Sequence, residues 1–238
     1  MTRTILLTND DGICADGLIR LAKAAQDFGE VWVIAPESQR SAASHSITLH
    51  SHIDVFPHDF PVAGVRAFSC SGTPADCVRI CPNLMPRRPD AVLSGINHGY
   101  NVASDIQYSA TAGAAFEAAF QGCHAIALSE EACDCHAVTD AYLHDVLAEL
   151  LDQQLGYGQI LNVNFPGCPP EECGGILFDR TVSHGMIFRD HYNVIGQLPD
   201  GGLRLMVEGD YNEDAEDGTD FQAVMKGYIS VGIAENIG

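Results

Sequence analysis

The chain has 238 residues, with 12 Lys or Arg against 32 Asp or Glu, and therefore a formal net charge of −20 at pH 7. This length allows one large α/β domain or one domain with an appendage, and an apolar content of 46% is too high for a disordered chain. The acidic charge argues against a nucleic-acid polymer as partner, and no apolar run reaches the length of a membrane span.

The nine cysteines are scattered without a paired framework, which favours free thiols in a reducing compartment. Residues 1–8 lack the basic segment and cleavage site of a signal peptide, so we expect a cytoplasmic protein. The segment Cys133–His136 weakly resembles a zinc cluster, with Cys168 and Cys173 as possible partners. No CxxC pair accompanies it, and unligated thiols are the favoured interpretation.

The first two thirds of the chain alternate short apolar runs with helical periodicity. A buried strand at 4–8 ends in Asn9–Gly12, a helix follows with apolar residues from Leu18 to Phe28, and a second strand covers 31–35. Further strands are predicted at 65–68, 90–93, 124–128 and 160–164, and further helices at 74–80, 110–121 and 136–154. This order predicts a Rossmann-like, doubly wound α/β fold whose mostly parallel sheet lies between two helical layers.

The character of the chain changes after Pro166. Residues 167–175 are rich in Gly, Pro and Glu, and the segments at 176–182, 203–207 and 228–231 have the pattern of β-strands. We therefore divide the chain into an α/β core at 1–166 and a β-rich C-terminal extension at 167–238. Residues 208–220 carry many carboxylates and no Lys or Arg, which predicts a solvated loop; a calcium site is the alternative, but the EF-hand spacing is absent.

Polar groups follow several predicted strands, and in an open parallel sheet the carboxyl ends of the strands meet at one edge. Asp10 and Asp11 follow the first strand, Ser41 follows the second, and Asn97 follows the strand at 90–93. Oxygen ligands of this kind suit Mg²⁺, Mn²⁺ or Ca²⁺ rather than zinc. A plain Asp-Asp-Gly turn at 10–12 remains the alternative interpretation.

Two helix starts have the composition of an anion-binding site. Ser109 and Thr111 open the Ala-rich helix, where hydroxyls and unpaired amides favour a phosphate, and Ser71–Pro74 repeats the pattern more weakly. Ordinary capping of the helix is the alternative. Neither GxGxxG nor the P-loop pattern occurs, which argues against a dehydrogenase or an NTPase.

Several motifs together resemble the survival protein SurE family. They span nearly the whole chain and lie in order: Leu7–Gly12, Ala35–Ser41, Ser71–Val78, Ser94–Asn101, Tyr108–Thr111, Leu161–Pro166, Thr219–Asp220 and Gly227–Val231. The resemblance implies a divalent-metal-dependent phosphatase that hydrolyses nucleoside 5′- and 3′-monophosphates, with short polyphosphate as a further substrate of some members. It also implies a Rossmann-like domain with a C-terminal β-rich arm that is exchanged between the subunits of a homodimer, which is often part of a tetramer.

The resemblance also assigns the site residues. Asp10, Asp11, Ser41 and Asn97 would bind one divalent metal ion per subunit, Mg²⁺ or Mn²⁺, and Asp10, Asp11 and Asn97 would carry the catalysis. The phosphate side would be lined by four residues: Asn9, Asn101, Ser109 and Thr111.

The chain departs from the family pattern at three places. Ala110 and Ala42 stand where the family usually has Gly, so that an added methyl group could narrow the phosphate site. Residues 189–210 keep Arg189–Tyr192 but lack the aromatic-rich strand that is typical there, which leaves the base preference open.

Three mechanistic alternatives follow. His98 could protonate the leaving alkoxide, although an exposed loop histidine is the simpler interpretation. A covalent phospho-aspartate is a second route, for which the DxDx[TV] arrangement is missing. A non-catalytic nucleotide or phosphate sensor on the same fold is the alternative from a different class; it would need no paired carboxylates.

Overall fold

The structure is a computed structural model that describes residues 2–212 and 214–236. The strands are β1 (Thr4–Thr8), β2 (Glu30–Pro36), β3 (Val55–His58), β4 (Arg66–Cys70), β5 (Ala91–His98), β6 (His124–Glu130), β7 (Gln159–Phe165), β8 (Ile176–Leu177), β9 (Phe188–Gln197), β10 (Leu203–Tyr211) and β11 (Ile229–Glu235). The helices are α1 (Asp16–Ala25), α2 (Pro74–Arg79), α3 (Cys81–Leu84), α4 (Ala110–Phe120), α5 (Ala137–Leu150) and α6 (Asp220–Met225), with 3₁₀ turns at Ala103–Gln107 and Pro199–Gly201.

Nine of the described strands form one sheet in the order β3-β4-β2-β1-β5-β6-β7-β11-β8. Strands β4 through β7 of that order are parallel, while β3 and β11 join their neighbours antiparallel. The chain winds from β1 to β2 and β4 on one side and then returns to β5 on the other side. The order therefore reverses between β1 and β5, which is where a doubly wound sheet opens a crevice for ligands.

Both faces of the sheet are covered by helices, and β1 shows why. Ile5 and Leu7 pack into a cluster with Leu18 and Leu21 of α1, while Leu6 between them belongs to the cluster on the other face. Successive side chains of a strand point to opposite faces, so a strand buried on both sides needs apolar residues throughout. The predicted three-layer α/β/α fold is confirmed.

Several elements extend beyond their predicted bounds. Strand β5 continues to His98 instead of stopping at residue 93, with a shift in register against β6 between Ser94 and Asn97. Gly95 permits this shift because its φ is +141°, and a Cβ there would lie 2.2 Å from the Leu128 carbonyl oxygen. The polar residues that the sequence suggested as a loop therefore form the end of a central strand.

The C-terminal part of the chain is both attached to the sheet and extended away from it. Strands β8 and β11 complete the main sheet, while β9 and β10 form a separate antiparallel hairpin that is exposed along nearly its whole length. The predicted strand at 176–182 is only two residues long. Of the predicted acidic loop, residues 208–211 belong to β10, residue 213 lies outside the described residues, and α6 begins at its last residue, Asp220.

Over the described ranges, none of the helices combines the length and the apolar character that crossing a bilayer requires.

Candidate active site at the reversal of strand order

The end of β1 turns so that two neighbouring carboxylates reach the end of β5. Asn9 closes the turn, because its Nδ2 donates to the Gly12 carbonyl oxygen (3.0 Å) and its Oδ1 accepts from the Gly12 amide (3.2 Å). Gly12 has a φ of +102°, a conformation that favours glycine. Asp11 Oδ2 then accepts a hydrogen bond from the backbone nitrogen of His98 (3.2 Å), which ties the turn to β5.

Asp10 is a buried carboxylate that has no basic partner among the described residues. Only 3% of the residue is exposed, and its Oδ1 accepts a hydrogen bond from Thr111 Oγ1 at 2.7 Å. The pKa of Asp10 is raised to about 6, mainly by burial and with a smaller contribution from the charge of Asp11, although the hydrogen bond from Thr111 opposes this rise. Within residues 2–212 and 214–236, neither Asp10 nor Asp11 forms an ion pair with a Lys, Arg or His.

A cavity of about 430 Å³ opens beside Asp10, a size that is usual for a small-molecule site. Five of the predicted site residues line it: Asp10, Ser41, Asn97, Asn101 and Ser109. Another cavity of about 350 Å³ lies at the opposite edge, beside the starts of β6 and β7, and contains none of them. We place the candidate site in the first cavity, since the carboxyl ends of the strands converge there.

Asn97 and Ser41 approach the cavity from opposite sides of the strand reversal. Asn97 donates through Nδ2 to the Gly99 carbonyl oxygen at 2.8 Å, which leaves its Oδ1 for a ligand. Ser41 is exposed at the start of the loop after β2, and the backbone nitrogen of the preceding Arg40 donates to the Asp10 carbonyl oxygen (2.7 Å). These contacts keep the two oxygen donors next to the β1 turn.

Asn101 is fixed by a network of buried amides and a hydroxyl. Its backbone nitrogen donates to Asn164 Oδ1 (2.8 Å), its carbonyl accepts from Asn162 Nδ2 (2.8 Å), and its own Nδ2 donates to Ser129 Oγ (2.8 Å). The asparagines at 162 and 164 in the sequence motif on β7 therefore act through Asn101, which lines the cavity.

Two of the predicted phosphate residues, Asn9 and Thr111, do not line the cavity. Asn9 is fully buried in the turn that it closes, and the Thr111 hydroxyl donates its hydrogen bond to Asp10. Both hold neighbouring groups in place here, and their direct contact with phosphate stays a prediction. Ser109 does line the cavity, while its Oγ also caps α4 by accepting from the Ala112 nitrogen at 3.0 Å.

The two alanines that depart from the family pattern occupy different environments. Ala42 lines the cavity with a φ of +56°, a conformation in which a glycine would be unstrained. Ala110 is fully buried at the start of α4 and does not line the cavity. The concern about an added methyl group therefore applies to position 42.

Glu117 of α4 holds both the loop after β2 and the end of α2, a role that the sequence did not indicate. It lies 2.9 Å from Nε2 of His45 in the loop and accepts from Nη1 of Arg79 on α2 at 3.0 Å. The bond to His45 is the main reason that the pKa of Glu117 is lowered. Gly113 admits the loop, since a Cβ there would lie 2.6 Å from the Ser44 carbonyl oxygen.

The sequence did not indicate the rest of the cavity wall. Tyr108, Met186 and Phe188 expose large apolar surfaces there, and Asp105 and Asp190 add two carboxylates. Hairpin strand β9 supplies Phe188 and Asp190, so no local pattern in the core could have predicted their position. His98 lines the cavity as well and is exposed.

The thiols of the cysteine cluster lie next to backbone oxygens. Cys133 Sγ lies 3.6 Å from the Cys135 carbonyl oxygen, and Cys135 Sγ lies 3.5 Å from that of Cys168, so the thiols face backbone oxygens. Across the described part of the chain, no group of three or more His, Cys, Asp or Glu side chains is arranged to hold a metal ion. Of the four residues predicted to bind a metal ion, Asp10, Ser41 and Asn97 line the cavity, whereas Asp11 does not and is bonded to the end of β5.

Comparison with known proteins points to one family. The family model described as "Survival protein SurE" matches residues 5–186. A relative named "5′-nucleotidase SurE" from Clostridium botulinum (strain 657 / Type Ba4) is 38% identical over 233 residues, which cover 95% of this chain and 90% of the relative. A "5′/3′-nucleotidase SurE" from Cronobacter sakazakii is 41% identical over 230 residues, covering 95% and 88%. The crystal structure of a SurE protein from Aquifex aeolicus superposes with a TM-score of 0.82 at 31% identity, covering 98% of this chain and 93% of the other.

Proposed function

The chain belongs to the survival protein SurE family, and on that premise we propose that it is a nucleotidase that hydrolyses nucleoside monophosphates with the help of one divalent metal ion. The observation that carries the proposal is the pair of carboxylates at the strand reversal. Asp10 is 3% exposed, lies beside Asp11 and has no basic partner among the described residues, an arrangement that a bound cation would stabilise.

Asp10, Asp11, Ser41 and Asn97 are the residues that would hold the ion. All four donors are oxygens, which suits Mg²⁺ or Mn²⁺. A divalent cation supplies charge neutralisation at a phosphate oxygen and a more acidic bound water. The hydrogen bond from Thr111 keeps one oxygen of Asp10 occupied and so orients the carboxylate.

The other lining residues bind and orient the substrate. Ser109 and the amides at the start of α4 present donors and the positive end of the helix dipole to a phosphate. Asn101 is locked by its three buried partners, so its placement needs no reorganisation when the substrate binds. His98 lines the same cavity and could give a proton to a leaving alkoxide.

The direct test is phosphate release from purified protein. AMP, 3′-AMP and para-nitrophenyl phosphate are incubated with Mg²⁺ or Mn²⁺ and then with EDTA, beside Asp10→Asn and the surface control Asp145→Asn. We expect release that requires metal and Asp10 and that the control retains. Release that survives both EDTA and Asp10→Asn would overturn the metal assignment, and the ratio of AMP to 3′-AMP hydrolysis measures the 3′ activity.

The same preparation separates the alternative functions. Binding of AMP without turnover in either metal would support the phosphate sensor. Fluoride complexes of aluminium or beryllium that trap the protein at an aspartate would support the covalent route through phospho-aspartate. Short polyphosphate is the second candidate substrate, and phosphate release from tripolyphosphate in the same assay tests it.

We also propose that the hairpin β9–β10 mediates a homodimer or homotetramer. Val194 and Leu205 are paired across the hairpin and are more than half exposed, as are Tyr192 and Met206. An apolar two-stranded ribbon is only marginally stable in water, and a second copy of the chain would cover it. The nine free cysteines support the proposal of a reducing, cytoplasmic location.

A further inference from the structure

A thiol and an imidazole lie side by side just before α1, outside the active-site cavity. Cys14 follows the turn that ends β1, and His58 is the last residue of β3, an edge strand of the main sheet. The two residues are 44 positions apart in sequence, and Cys14 Sγ lies 3.9 Å from His58 Nε2. Neither residue lines the cavity beside Asp10, so the proposed hydrolysis does not use this pair.

The fold holds the two residues in this arrangement. The backbone nitrogens of Ile13 and Ala15, on either side of Cys14, both donate hydrogen bonds to backbone oxygens, at 2.8 and 3.0 Å. His58 belongs to the antiparallel ladder between β3 and β4. Because both backbones are fixed, the folded chain keeps the thiol next to the imidazole, and unfolding separates them.

Cys14 differs in exposure from every other thiol of the chain. All nine cysteines lie within the described residues; Cys14 is exposed, whereas three of the others are buried and five are half-buried. A small reagent in solution therefore reaches Cys14 without any opening of the structure. Access of this kind is the first requirement for a thiol that is modified in the folded protein.

Burial also weakens several of the other thiols as nucleophiles. It raises the pKa of Cys81 to about 11, and it raises the pKa of Cys77 and of Cys168 as well. The hydrogen bond with Cys77 lowers the pKa of Cys70, but Cys70 has no exposed surface. Because the thiolate is the nucleophile, a thiol that keeps its proton or lacks access reacts slowly.

The remaining half-buried thiols have backbone oxygens or an arginine as neighbours. Three of them have Sγ atoms 3.5 to 4.0 Å from backbone carbonyl oxygens: Cys133, Cys135 and Cys173. Cys123 Sγ accepts a hydrogen bond from Arg88 Nε at 3.4 Å. A carbonyl oxygen or a guanidinium does not take up a thiol proton, whereas a neutral imidazole does. Among the described contacts, access from solvent and a neighbouring base are therefore combined at Cys14.

We propose that Cys14 and His58 form a reactive thiol site, at which a disulfide of low molecular weight transfers one of its halves to Cys14. The Cys14 thiol gives its proton to His58 Nε2, and its sulfur attacks one sulfur of the disulfide R–S–S–R. A new S–S bond joins Cys14 to one half while the old S–S bond breaks. The other half leaves as a thiolate and takes the proton from His58, so that the products are a mixed disulfide and one R–SH.

The modification is reversible and goes beyond the proposed function. Excess R–SH drives the same exchange backwards, and the free thiol of Cys14 is restored. In a reducing compartment the adduct therefore accumulates only when small disulfides become abundant. The site makes the folded protein responsive to the ratio of small disulfides to thiols.

The test is a competition among the nine thiols of the full-length protein. The protein is treated at neutral pH with a few equivalents of cystamine, a small disulfide, and the reaction is stopped with acid. Intact mass gives the number of adducts, and peptide mapping identifies the modified cysteine. The variants are Cys14→Ser, His58→Gln, whose amide cannot take up the thiol proton, and Cys123→Ser as the matched control at a half-buried thiol.

We expect the first adduct at Cys14 in the unchanged protein and, at the same rate, in Cys123→Ser. Cys14→Ser should lose this fast phase. His58→Gln should slow the reaction of Cys14 roughly three- to tenfold, less than for a base in close contact because the two atoms are 3.9 Å apart. A first adduct at another cysteine, or an unchanged rate at Cys14 in the folded His58→Gln variant, would overturn the inference.

Unfolding provides a second test that needs no folded variant. In concentrated urea the advantage of Cys14 over the other thiols should vanish, because only the fold brings His58 to it. An advantage that persists in urea would also overturn the inference, since it would come from neighbours in sequence. These measurements do not depend on hydrolysis, so their failure leaves the proposed function standing, and failure to hydrolyse AMP leaves the thiol site standing.

Discussion

Replacing Asp10 with Asn should make the metal-free protein more stable while it removes hydrolysis. Burial, with a contribution from Asp11, raises the pKa of Asp10 from 3.8 to about 6. At 1.36 kcal/mol per pKa unit, keeping this group ionised costs the folded protein about 3 kcal/mol at neutral pH. Asn is nearly isosteric and neutral, and its Oδ1 can still accept the hydrogen bond from Thr111.

The sign of the pH dependence follows from the same values. The folded protein binds the Asp10 proton more tightly than the unfolded chain does, so the protein loses stability relative to Asp10→Asn as the pH rises from about 4 to about 6. Above pH 6 the difference is constant, and below pH 4 it disappears. The same carboxylate must be ionised to bind a cation, so the affinity for metal should fall as the pH drops below about 6.

The assay is thermal unfolding in EDTA at pH 7.5 and at pH 4.5, with Asp145→Asn as the control for removing one surface charge. For a chain of this length, about 3 kcal/mol corresponds to a rise in Tm of roughly 6 to 12 °C at pH 7.5. Adding Mn²⁺ should raise the Tm of the unchanged protein and leave that of Asp10→Asn in place. A variant that melts at or below the unchanged protein at pH 7.5 would refute the idea of a strained carboxylate pair.

Three further outcomes test other parts of the structure. Glu117→Ala should lower the free energy of unfolding in urea by about 2 kcal/mol, because Arg79 of α2 and His45 both lose their partner. It should also raise the KM, because the loop that carries Ser41 loses its contact through His45; an unchanged KM would show that the loop is positioned by other contacts. Gly95→Ala should cost at least about 2 kcal/mol in the same measurement, since its Cβ would lie 2.2 Å from the Leu128 oxygen. Val194→Asp should shift the sedimentation coefficient towards a single chain, and an unchanged coefficient would show that the hairpin is not the interface.

The sequence predicted the core of the sheet and one end of the site well, for a physical reason. Strands such as β1 are buried on both faces, so they are continuous apolar runs, and the polar residue that ends each run marks the edge where ligands bind. From these apolar runs we predicted that Asp10 lies directly after β1 and that Asn97 lies after the run that begins β5. The cavity brings Asp10, Ser41, Asn97, Asn101 and Ser109 together as that argument expects.

The part of the cavity wall formed by Asp105 and Asp190 escaped prediction because nothing local encodes it. Asp105 and Asp190 are 85 residues apart, and they line one cavity because the chain just before β9 is bonded to the 3₁₀ turn, where the Ser104 nitrogen donates to the Gly185 carbonyl oxygen (3.3 Å). Strand β9 itself has solvent on both faces and therefore lacks the alternation of apolar and polar residues that identifies most strands. The end of β5 was missed for a different reason, since Ser94 and Gly95 have the composition of a loop and become a strand through pairing with β6.

The net charge of −20 can be reconciled with an anionic substrate once the charges are placed in space. Charges farther than about 8 Å are largely screened at physiological ionic strength, so the substrate responds to the groups that line the cavity. At one end Asp10 and Asp11 become attractive to phosphate only when a divalent cation reverses the local sign. Asp105 and Asp190 also line the cavity, and among its described lining residues there is no Lys or Arg, while Arg40 and Arg189 donate hydrogen bonds to other partners. The metal-free protein should therefore bind AMP poorly in an equilibrium titration, and adding Mn²⁺ should strengthen that binding; AMP binding that is equally strong with and without Mn²⁺ would contradict this account.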